Sequence, residues 1–365
     1  MQVLLQEEEK SFNHLVEDFT REHFNQNKKI NLKDFWQALY KKSLINENNS
    51  FLRNILLTEA VCKVEPGLGL FLLTQYTCIE IIKNHTSSEI KEKYLQDLIS
   101  GKYIACFSLT EPNAGSDISM LETSAKKENN FWILDGHKIW SSNGSISDII
   151  IIFAQTKSHR DKTGITCFII HSNSKELKIL DDTPKLGVKI TPSNEILIKN
   201  LKVDETSQIG NIGDGIKIAL SAITLGRIYC ASQATGLLEG ILTESINHST
   251  KRNQFGKSVS ENQAIQWFLA DMAKDLDACK LLLYKASWAK ENKTDELNKL
   301  SSMAKYFCTS TAQNHSTKAV QILGGRGLNE NSYVAKAYRD AKVLEIYEGT
   351  NEIQKVVLTK ELKLN

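Results

Sequence analysis

The sequence lacks the cysteine spacing that marks a disulfide framework or a zinc site. Its 7 cysteines are scattered along 365 residues, and no CxxC pair occurs. Small secreted scaffolds and zinc knuckles both depend on closely spaced cysteines, so the spacing argues against either class. We expect free, buried thiols in a reducing compartment.

The sequence also lacks a segment that would direct it into or across a membrane. Its longest uninterrupted apolar run, Ile149 to Ala154, is far too short to cross a bilayer. The opening residues, MQVLLQEEEK, have neither the basic end and long apolar core of a signal peptide nor the arginines of a mitochondrial presequence. We therefore expect a soluble, cytoplasmic protein with no membrane partner.

Several functional classes are disfavoured by missing charge and missing motifs. The 45 Lys and Arg nearly balance the 43 Asp and Glu, which argues against a nucleic-acid partner. The 8 histidines form no HExxH or other ligand cluster, so no metal is predicted. No GxSxG occurs to anchor a hydrolase triad.

What is present divides into three regions, predicted as domains 1–104, 105–211 and 212–365. A chain of this length is expected to form two or three structural units. In the first region, apolar residues recur at helical spacing, as from Asn31 to Ile45. The stretch SSEIKEKYLQDLISG predicts a further helix with Glu89 in its first turn and Gly101 at its end.

The second region reads as β structure and the third as helices. In FWILDGHKIW, Asp135-Gly136 predicts a hairpin between two strands, and DIIIIFAQ, ITCFIIH and NEILIKNLKV predict further strands of a barrel or sandwich. The helical period then returns in long runs that look like the helices of a bundle. These runs are Ile216 to Ser249, Asn262 to Lys290, Glu296 to Leu323 and Thr350 to Leu362.

Two polar stretches of the β region have both a structural and a functional interpretation. CFSLTEPNAGSD is either an ordinary loop or a loop that presents the hydroxyls of Thr110 and Ser116 and backbone N–H groups to a pyrophosphate or flavin edge. IWSSNG is either packing followed by a turn or an aromatic wall with a hydroxyl donor beside a planar ring.

Two stretches of the helical region are equally open. KRNQFGK is either a solvated basic loop or a phosphate clamp built on the fork of Arg252. QILGGRGL ends a helix with three glycines, more than a C-cap needs, which suggests close approach of the backbone to another group.

An acid near the C-terminus raises the sharpest question. In DAKVLEIYEGTNEIQ, Glu348 lies between a tyrosine and a glycine at the end of an apolar run. An isolated carboxylate is costly in apolar surroundings. Glu348 is therefore either a solvated acid at the start of a helix or a base that the protein needs there.

Taken in order, six stretches resemble the acyl-CoA dehydrogenase flavoprotein family. They are LTEPNAGSD, DGHKIWSSNG, KLGVKITPSNEILI, RNQFG, QILGGRGL and RDAKVLEIYEGTNEIQ, and the resemblance runs from about Lys33 to Leu362. It implies an α+β fold with an N-terminal α-helical domain, a central β-barrel and a C-terminal four-helix bundle. It also implies FAD between barrel and bundle, and a homo-oligomer, a dimer or a homotetramer built as a dimer of dimers.

By matching positions, the resemblance implies contacts with the flavin from the β region. Phe107, Leu109 and Thr110 would edge the flavin ring, and Ser116 would meet the pyrophosphate. Trp140 would pack on the flavin. Ser142, in place of a more usual threonine, would donate near its N5.

The remaining cofactor contacts are implied in the helical region. Residues of two segments would reach the FAD of a neighbouring subunit, and two residues after the candidate base match the family's last cofactor contacts. These residues are Arg252, Gln254, Phe255, Gln321, Gly324 and Gly325 for the first group, and Thr350 and Glu352 for the second.

The resemblance also implies the reaction, the α,β-dehydrogenation of an acyl thioester. Glu348 would remove the α-proton while a hydride passes from the β-carbon to flavin N5, and a water-poor pocket would raise the pKa of this carboxyl. Its backbone N–H would join a flavin ribityl hydroxyl as an oxyanion hole. Ser116, Arg227, Tyr347 and Gly349 are assigned to the substrate side.

An internal comparison supports Glu348 as the base. Some family members carry the base on the first bundle helix, immediately before an arginine that Arg227 matches here. That position is Gly226, which cannot take a proton. The alternative base is therefore absent.

Departures from the family pattern keep the substrate and partners open. NENNSFLRNI replaces a PEEYGG-like loop near the substrate entrance, and Lys189 and Thr191 replace residues associated with the CoA side. The alternative is desaturation or oxidation of an acyl or aminoacyl group on a carrier protein in a biosynthetic pathway. The electron acceptor is either a protein such as an electron-transfer flavoprotein or O₂. A nucleic-acid-binding relative would carry a basic C-terminal extension. This sequence ends at TKELKLN, just after the predicted bundle, and its charge is nearly balanced, so we expect no nucleic-acid partner.

Overall fold

The N-terminal region is helical in the computed structural model, which describes residues 5–24, 30–157 and 164–363. The opening residues, in which we expect no signal peptide or presequence, lie partly outside the described residues. The five helices of this region are α1 (Glu7–Phe24), α2 (Leu32–Lys41), α3 (Phe51–Val64), α4 (Leu68–His85) and α5 (Ser88–Ile99).

Local sequence explains where these helices begin. The Asn31 side chain accepts hydrogen bonds from the second and third backbone N–H groups of α2, and Ser87 caps α5 in the same manner. The helices predicted from Asn31 and from the Ser87-Ser88 pair are thus confirmed. Helix α4 is buried over almost its whole length, so it forms the centre of this region.

The strands that follow form one mixed sheet. They are β1 (Ala105–Ser108), β2 (Ser124–Glu128), β3 (Phe131–Ser142), β4 (Ile149–Gln155), β5 (Ile165–His171), β6 (Leu177–Asp182), β7 (Ser193–Asp204) and β8 (Gln208–Ile209). Their order is β6-β7-β3-β1-β4-β5-β8, and β2 pairs with both β3 and β4. The strands predicted from DIIIIFAQ, ITCFIIH and NEILIKNLKV are β4, β5 and β7, as expected.

The hairpin predicted at Asp135-Gly136 is wrong. Strand β3 runs straight through these residues, and its pairing with β7 shifts register there, as in a β-bulge. Glycine is needed because a Cβ atom at position 136 would overlap Thr123. The turn lies instead at Asn129 and Asn130, which join β2 to β3, and Asn129 has a left-handed φ of 55°.

The C-terminal region is a helical bundle. Its helices are α6 (Gly215–Lys251), α7 (Gln263–Glu291), α8 (Leu297–Leu323), α9 (Tyr333–Leu344) and α10 (Asn351–Glu361). A short hairpin, β9 (Asn253–Gln254) and β10 (Lys257–Ser258), separates α6 from α7. The four predicted helices correspond to α6, α7, α8 and α10, whereas α9 was not predicted as a separate helix.

Helix α6 connects the parts of the molecule. Every residue from Leu225 to Leu238 is buried, and α6 packs on α3, α4, α7, α8 and α9. Helix α5 ends at Ile99 and β8 ends at Ile209, but the proposed domain boundaries themselves stay predictions. All seven cysteines are free and buried, as expected. Within the described ranges, no helix combines the length and apolar character needed to cross a membrane.

Candidate active site

The candidate base lies in a tight turn between α9 and α10. Glu348 and Gly349 both have left-handed backbone conformations, with φ values of 57° and 81°. A non-glycine residue seldom adopts this conformation, and such strain is concentrated at functional sites. The turn is closed by the backbone N–H of Asn351, which donates to the carbonyl of Glu345 at 3.0 Å.

Two buried side chains hold this turn from outside. The Gln354 amide donates to the carbonyl of Glu348 at 3.1 Å and to that of the following glycine at 2.8 Å. The Lys305 ammonium donates to the carbonyl of Glu345 at 3.0 Å and to the side chain of Asn351 at 2.8 Å. Both holding side chains are fully buried, so the turn is fixed from α10 and from α8. The sequence analysis did not identify either of them.

The Glu348 carboxyl has the acidity that a base at neutral pH needs. Burial raises its pKa to about 7, and the positive charges of Arg227 and Lys305 act in the opposite direction. The carboxyl lies against Gly226, where any Cβ atom would overlap it. The two positions considered for the base thus face each other, and only one of them holds an acid.

Two of the predicted substrate-side residues, Arg227 and Tyr347, are themselves anchored beside the base. Arg227 donates to Asn298 at 3.0 Å and to Ser302 at 3.1 Å, and burial lowers its pKa. The Tyr347 hydroxyl donates to the side-chain carbonyl of Gln233. Their side chains therefore line the surroundings of Glu348 in fixed positions.

Strand pairing brings the first flavin candidates together. Phe107 on β1 lies opposite Ser142 on β3, and the Thr110 carbonyl accepts a hydrogen bond from Ile139 at 2.9 Å. Ser116 is exposed further along the same loop.

Trp140 is presented in an unusual manner. Its φ is 55°, it lies where the β3–β7 pairing shifts register, and 52% of its surface is exposed. A strained backbone that holds a large ring open to solvent fits contact with a planar ligand. The site therefore fits the isoalloxazine ring of FAD, with polar and backbone groups of residues 107–116 alongside.

A buried ion pair supports this loop, and the sequence analysis missed it. The Lys138 ammonium lies 2.7 Å from the Glu111 carboxylate, and both side chains are almost completely buried. Glu111 also accepts hydrogen bonds from the backbone N–H groups of Glu122 and Thr123. The one signal in the sequence was a lysine in the middle of a β pattern, HKIW.

The remaining flavin candidates lie at the far end of the bundle. Burial and the nearby charges of Arg326 and Arg252 lower the pKa of His248, so the end of α6 lies close to the end of α8. From Gly226 to Lys251, helix α6 rises about 38 Å. Within one chain these candidates therefore lie far from Glu348, whose carboxyl is against Gly226.

The residues at this far end are open to contact. Phe255 is fully exposed at the tip of the β9–β10 hairpin, and Arg252 and Gln254 are exposed beside it. Gln321 is exposed, and Cβ atoms built at the adjacent Gly324 and Gly325 meet nothing within 4 Å. Two further candidates flank the catalytic turn: Thr350 caps α10, and Glu352 is exposed in its first turn.

The comparisons with known proteins agree with this geometry. Residues 106–201 match the family described as acyl-CoA dehydrogenase, middle domain, and residues 213–363 match acyl-CoA dehydrogenase, C-terminal domain. An acyl-CoA dehydrogenase of Bacillus subtilis is 36% identical over 84% of this chain and 81% of its own length. The chain belongs to the acyl-CoA dehydrogenase family.

Two solved structures share the fold of this dehydrogenase over its whole length. The electron transferring flavoprotein structure of Acidaminococcus fermentans has a TM-score of 0.93 at 29% identity and covers 100% of both chains. The prolyl acyl carrier protein oxidase AnaB has a TM-score of 0.92 at 28% identity and covers 98% of this chain and 100% of its own.

These matches confirm the predicted family and fold class. The enzyme class follows from the membership: the protein is an FAD-dependent acyl-thioester dehydrogenase, as predicted, and FAD is its cofactor.

Proposed function

We propose that Glu348 is the base that removes the α-proton of an acyl thioester. The observation that carries this proposal is the position of its carboxyl, fixed in a left-handed turn against Gly226 and with a pKa of about 7. Such a carboxyl is substantially ionised at neutral pH and, once protonated, is still a weak acid. Both properties suit reversible proton abstraction.

The chain's own groups prepare this step. Gln354 and Lys305 donate to backbone carbonyls of the turn and so fix its backbone. The N–H of Glu348 would serve the thioester carbonyl as its negative charge develops. Arg227 keeps a positive charge near the carboxylate without removing its basicity. FAD, when bound, accepts the hydride that leaves the β-carbon.

The cofactor would be held by residues from two chains. Phe107, Leu109, Thr110, Trp140 and Ser142 would contact the ring. The contacts outside this ring site would be Ser116, Thr350 and Glu352 of the same chain, and Arg252, Gln254, Phe255, Gln321, Gly324 and Gly325 of a second copy. The length of α6 between Gly226, beside the base, and Lys251, beside the far-end residues, is about 38 Å and supports a homo-oligomer in which a second copy supplies the far-end contacts.

The carrier of the acyl group has two candidates, coenzyme A and a carrier protein. Similarity to acyl-CoA dehydrogenases supports coenzyme A, and similarity to AnaB supports a carrier-protein substrate. Thr191, at a position associated with the CoA side, is buried and donates to the Gly67 carbonyl at 2.8 Å, so its hydroxyl is engaged within the protein. This observation favours keeping the carrier protein as a second candidate.

The electron acceptor also has two candidates, a protein and O₂. Similarity to the electron transferring flavoprotein structure supports transfer to such a protein, and similarity to an oxidase supports reaction with O₂. Formation of peroxide in air during turnover would indicate that O₂, and not a protein, accepts the electrons.

A panel of thioesters under anaerobic conditions tests the proposed function. The holoenzyme is mixed with acyl groups presented on CoA and on a phosphopantetheinylated carrier protein, and loss of the yellow flavin absorbance is followed. We expect bleaching by at least one saturated thioester together with formation of its α,β-enoyl product. Failure of every thioester to bleach an intact flavin would overturn the proposal.

A further inference from the structure

The loop between β6 and β7, residues 183–192, contains a strained residue. Val188 is completely buried and has a left-handed φ of 54°. A β-branched side chain is an outlier in this conformation, and such residues persist only where the surrounding structure holds them. At the neighbouring Gly187, a Cβ atom would overlap the backbone of Arg339 on α9. The loop therefore lies directly against α9 at this point.

Asp340 on α9 holds the strained residue. Its Oδ1 accepts a hydrogen bond from the backbone N–H of Val188 at 2.5 Å, and its side chain is buried. Its other carboxyl oxygen, Oδ2, has no hydrogen-bond partner among the residues that the structure describes. Burying a carboxyl is costly unless its hydrogen bonds compensate. The hydrogen bond to Val188 is the contact that accounts for an acid at this position.

The loop is held a second time, at the start of α4. The Thr191 hydroxyl donates to the carbonyl of Gly67 at 2.8 Å, and the N–H of Gly67 donates to the Glu65 carboxylate at 3.2 Å. Glu65 in turn forms an ion pair with Lys336 on α9. Lys336 and Asp340 lie one turn apart, so one face of α9 holds both this loop and the turn between α3 and α4.

The end of the loop leads to the flavin side of the candidate site. The carbonyl of Pro192 accepts a hydrogen bond from the backbone N–H of Asn143 at 2.9 Å. The next residue, Ser193 on β7, lies opposite Ser142 on β3. Ser142 is the residue proposed to contact the flavin ring near its N5. A shift of the loop at Val188 would therefore reach the strand pair that carries this hydroxyl.

The other end of this link is the catalytic turn. Helix α9 ends at Leu344, and Glu348 follows in the turn, eight residues after Asp340. The Leu344 carbonyl accepts a hydrogen bond from the Cys230 thiol at 3.5 Å, which joins the end of α9 to α6. Asp340 thus connects the helix that precedes the candidate base with the loop that leads to a candidate flavin contact.

We propose that Asp340 is a positioning residue that fixes the turn of Glu348 relative to the end of β3 at Ser142. The proton and the hydride leave neighbouring carbons of the substrate, so the base and the flavin must be held at matched positions on either side of it. This inference rests on the proposed function, because it takes Glu348 as the base and Ser142 as a flavin contact. Asp340 itself contacts neither substrate nor cofactor in this account.

Two measurements on the FAD-loaded enzyme test the role of Asp340. Visible circular dichroism of the bound flavin reports the surroundings of its ring, and anaerobic bleaching by a reactive thioester gives a limiting rate and a half-saturating concentration. Asp340→Ala should change the dichroism and lower the limiting rate about ten- to a hundredfold, the loss expected from a displacement of about 1 Å. The half-saturating concentration and the pH midpoint should stay unchanged, because neither the thioester site nor the base is altered.

Three further variants separate positioning from general damage. Asp340→Asn keeps the accepting oxygen and should retain the wild-type dichroism and rate. Val334→Ala removes buried atoms on another face of α9 and should change neither readout. Thr191→Val removes the second hold on the loop with little change in volume. It should shift both readouts in the same direction as Asp340→Ala, by a smaller amount.

The outcomes distinguish this inference from the proposed function. A folded Asp340→Ala variant with unchanged dichroism and bleaching rate overturns the positioning role, as does a wild-type-like Thr191→Val variant if Asp340→Ala does not fold. Equal losses in Asp340→Ala and Val334→Ala overturn it too, because the effect would then be one of stability. Failure of every thioester to bleach the wild type overturns the proposed function. A changed flavin dichroism in Asp340→Ala, absent from Val334→Ala, would still support the link from Asp340 to the flavin side.

Discussion

Glu348 is subject to two opposing influences. Burial raises the pKa of its carboxyl, while the charges of Arg227 and Lys305 lower it, and the balance lies at about 7. A carboxyl in water at this pH would be ionised and too weak a base to compete for an α-proton. At the residue scale, the surroundings convert an ordinary glutamate into a base suited to neutral pH.

The raised pKa of Glu348 also affects stability. Its folded-state pKa of about 7 lies above the ordinary value of 4.5, so the folded protein loses stability as the pH rises from 4.5 through 7. Glu348→Gln mimics the neutral acid and avoids this loss. We predict that the variant melts at a higher temperature than the wild type at pH 8 and at the same temperature near pH 4.

Glu352→Gln is the matched control for this measurement, because Glu352 is exposed and its pKa is lowered by its own backbone N–H and by Thr350. It should show no stabilisation at pH 8. A Glu348→Gln variant less stable than the wild type at pH 8 would contradict the assigned pKa direction.

The role of Glu348 could be predicted from the sequence, but the side chains that hold its turn in place could not. The motif EIYEGTNEIQ predicted that Glu348 is the base. Glycine at position 226 means that the alternative position for the base holds no acid. Lys305 reaches the turn from α8, and no local pattern marks a residue that meets the turn only after helices pack. Gln354 lies within the motif itself, in the first turn of α10, but the motif does not show that its amide bonds to the carbonyls of the turn. The left-handed φ of Glu348 was likewise not predicted.

At the scale of elements, helix α8 holds the turn in position and affects the pKa of Glu348. Lys305 reaches the turn from α8, and its charge lowers the pKa of Glu348. We predict that Lys305→Met shifts the midpoint of the pH–kcat/KM profile to higher pH and lowers the plateau, because the charge and two hydrogen bonds are lost.

Lys299→Met on the same helix serves as the control, since Lys299 forms its ion pair with the exposed Glu296 in its own turn. It should leave the profile unchanged. A merely structural role for Lys305 would lower activity equally at every pH, and that result would count against tuning.

The Glu111–Lys138 pair acts between β3 and the loop that precedes β2. Burial lowers the pKa of Lys138 to about 8, and the carboxylate opposes this shift. Removing one partner leaves a buried group without its counter-charge, which typically costs about 3–5 kcal/mol. We predict that Lys138→Met destabilises the fold by this amount and weakens flavin retention.

A double-mutant cycle checks this prediction by chemical denaturation. The double variant Glu111→Gln, Lys138→Met should recover much of the lost free energy of unfolding, because it removes both buried charges. Additive losses from the two single substitutions would show that the pair is not coupled.

The errors in the predicted elements have physical causes. Asp-Gly favours a hairpin turn, but here the glycine serves a bulge that passes close to Thr123, and Asp135 accepts a hydrogen bond from the backbone of Asn200 at 3.1 Å. The turn formed at two asparagines nearby. The motif around Glu348 begins inside helix α9, at Arg339, so the motif does not mark α9 as a separate helix, although Ser332 caps its start.

At the scale of the whole molecule, the predicted cofactor residues fall into two groups separated along α6. Motif order in the sequence could identify both groups, but only three-dimensional packing reveals their distance within one chain. The order of helices, sheet and helices followed from hydrophobic period alone.

Separation of the two groups leads to a prediction about assembly. Arg252→Ala should lower the flavin content that survives dialysis while the melting temperature of the flavin-free protein stays unchanged, because Arg252 is exposed in its own chain. Arg21→Ala, which removes an arginine paired with Glu17 on α1, should retain flavin fully. Equal flavin content in both variants would contradict a clamp across subunits.

The most direct test of the central claim is the rate of flavin bleaching by a saturated short-chain thioester, measured without oxygen for the wild type and for Glu348→Gln. The wild type should bleach on mixing. The variant should remain yellow, with a rate lower by about 10²–10⁴-fold, the range expected for loss of a general base. A variant that bleaches at the wild-type rate would contradict the assignment of Glu348.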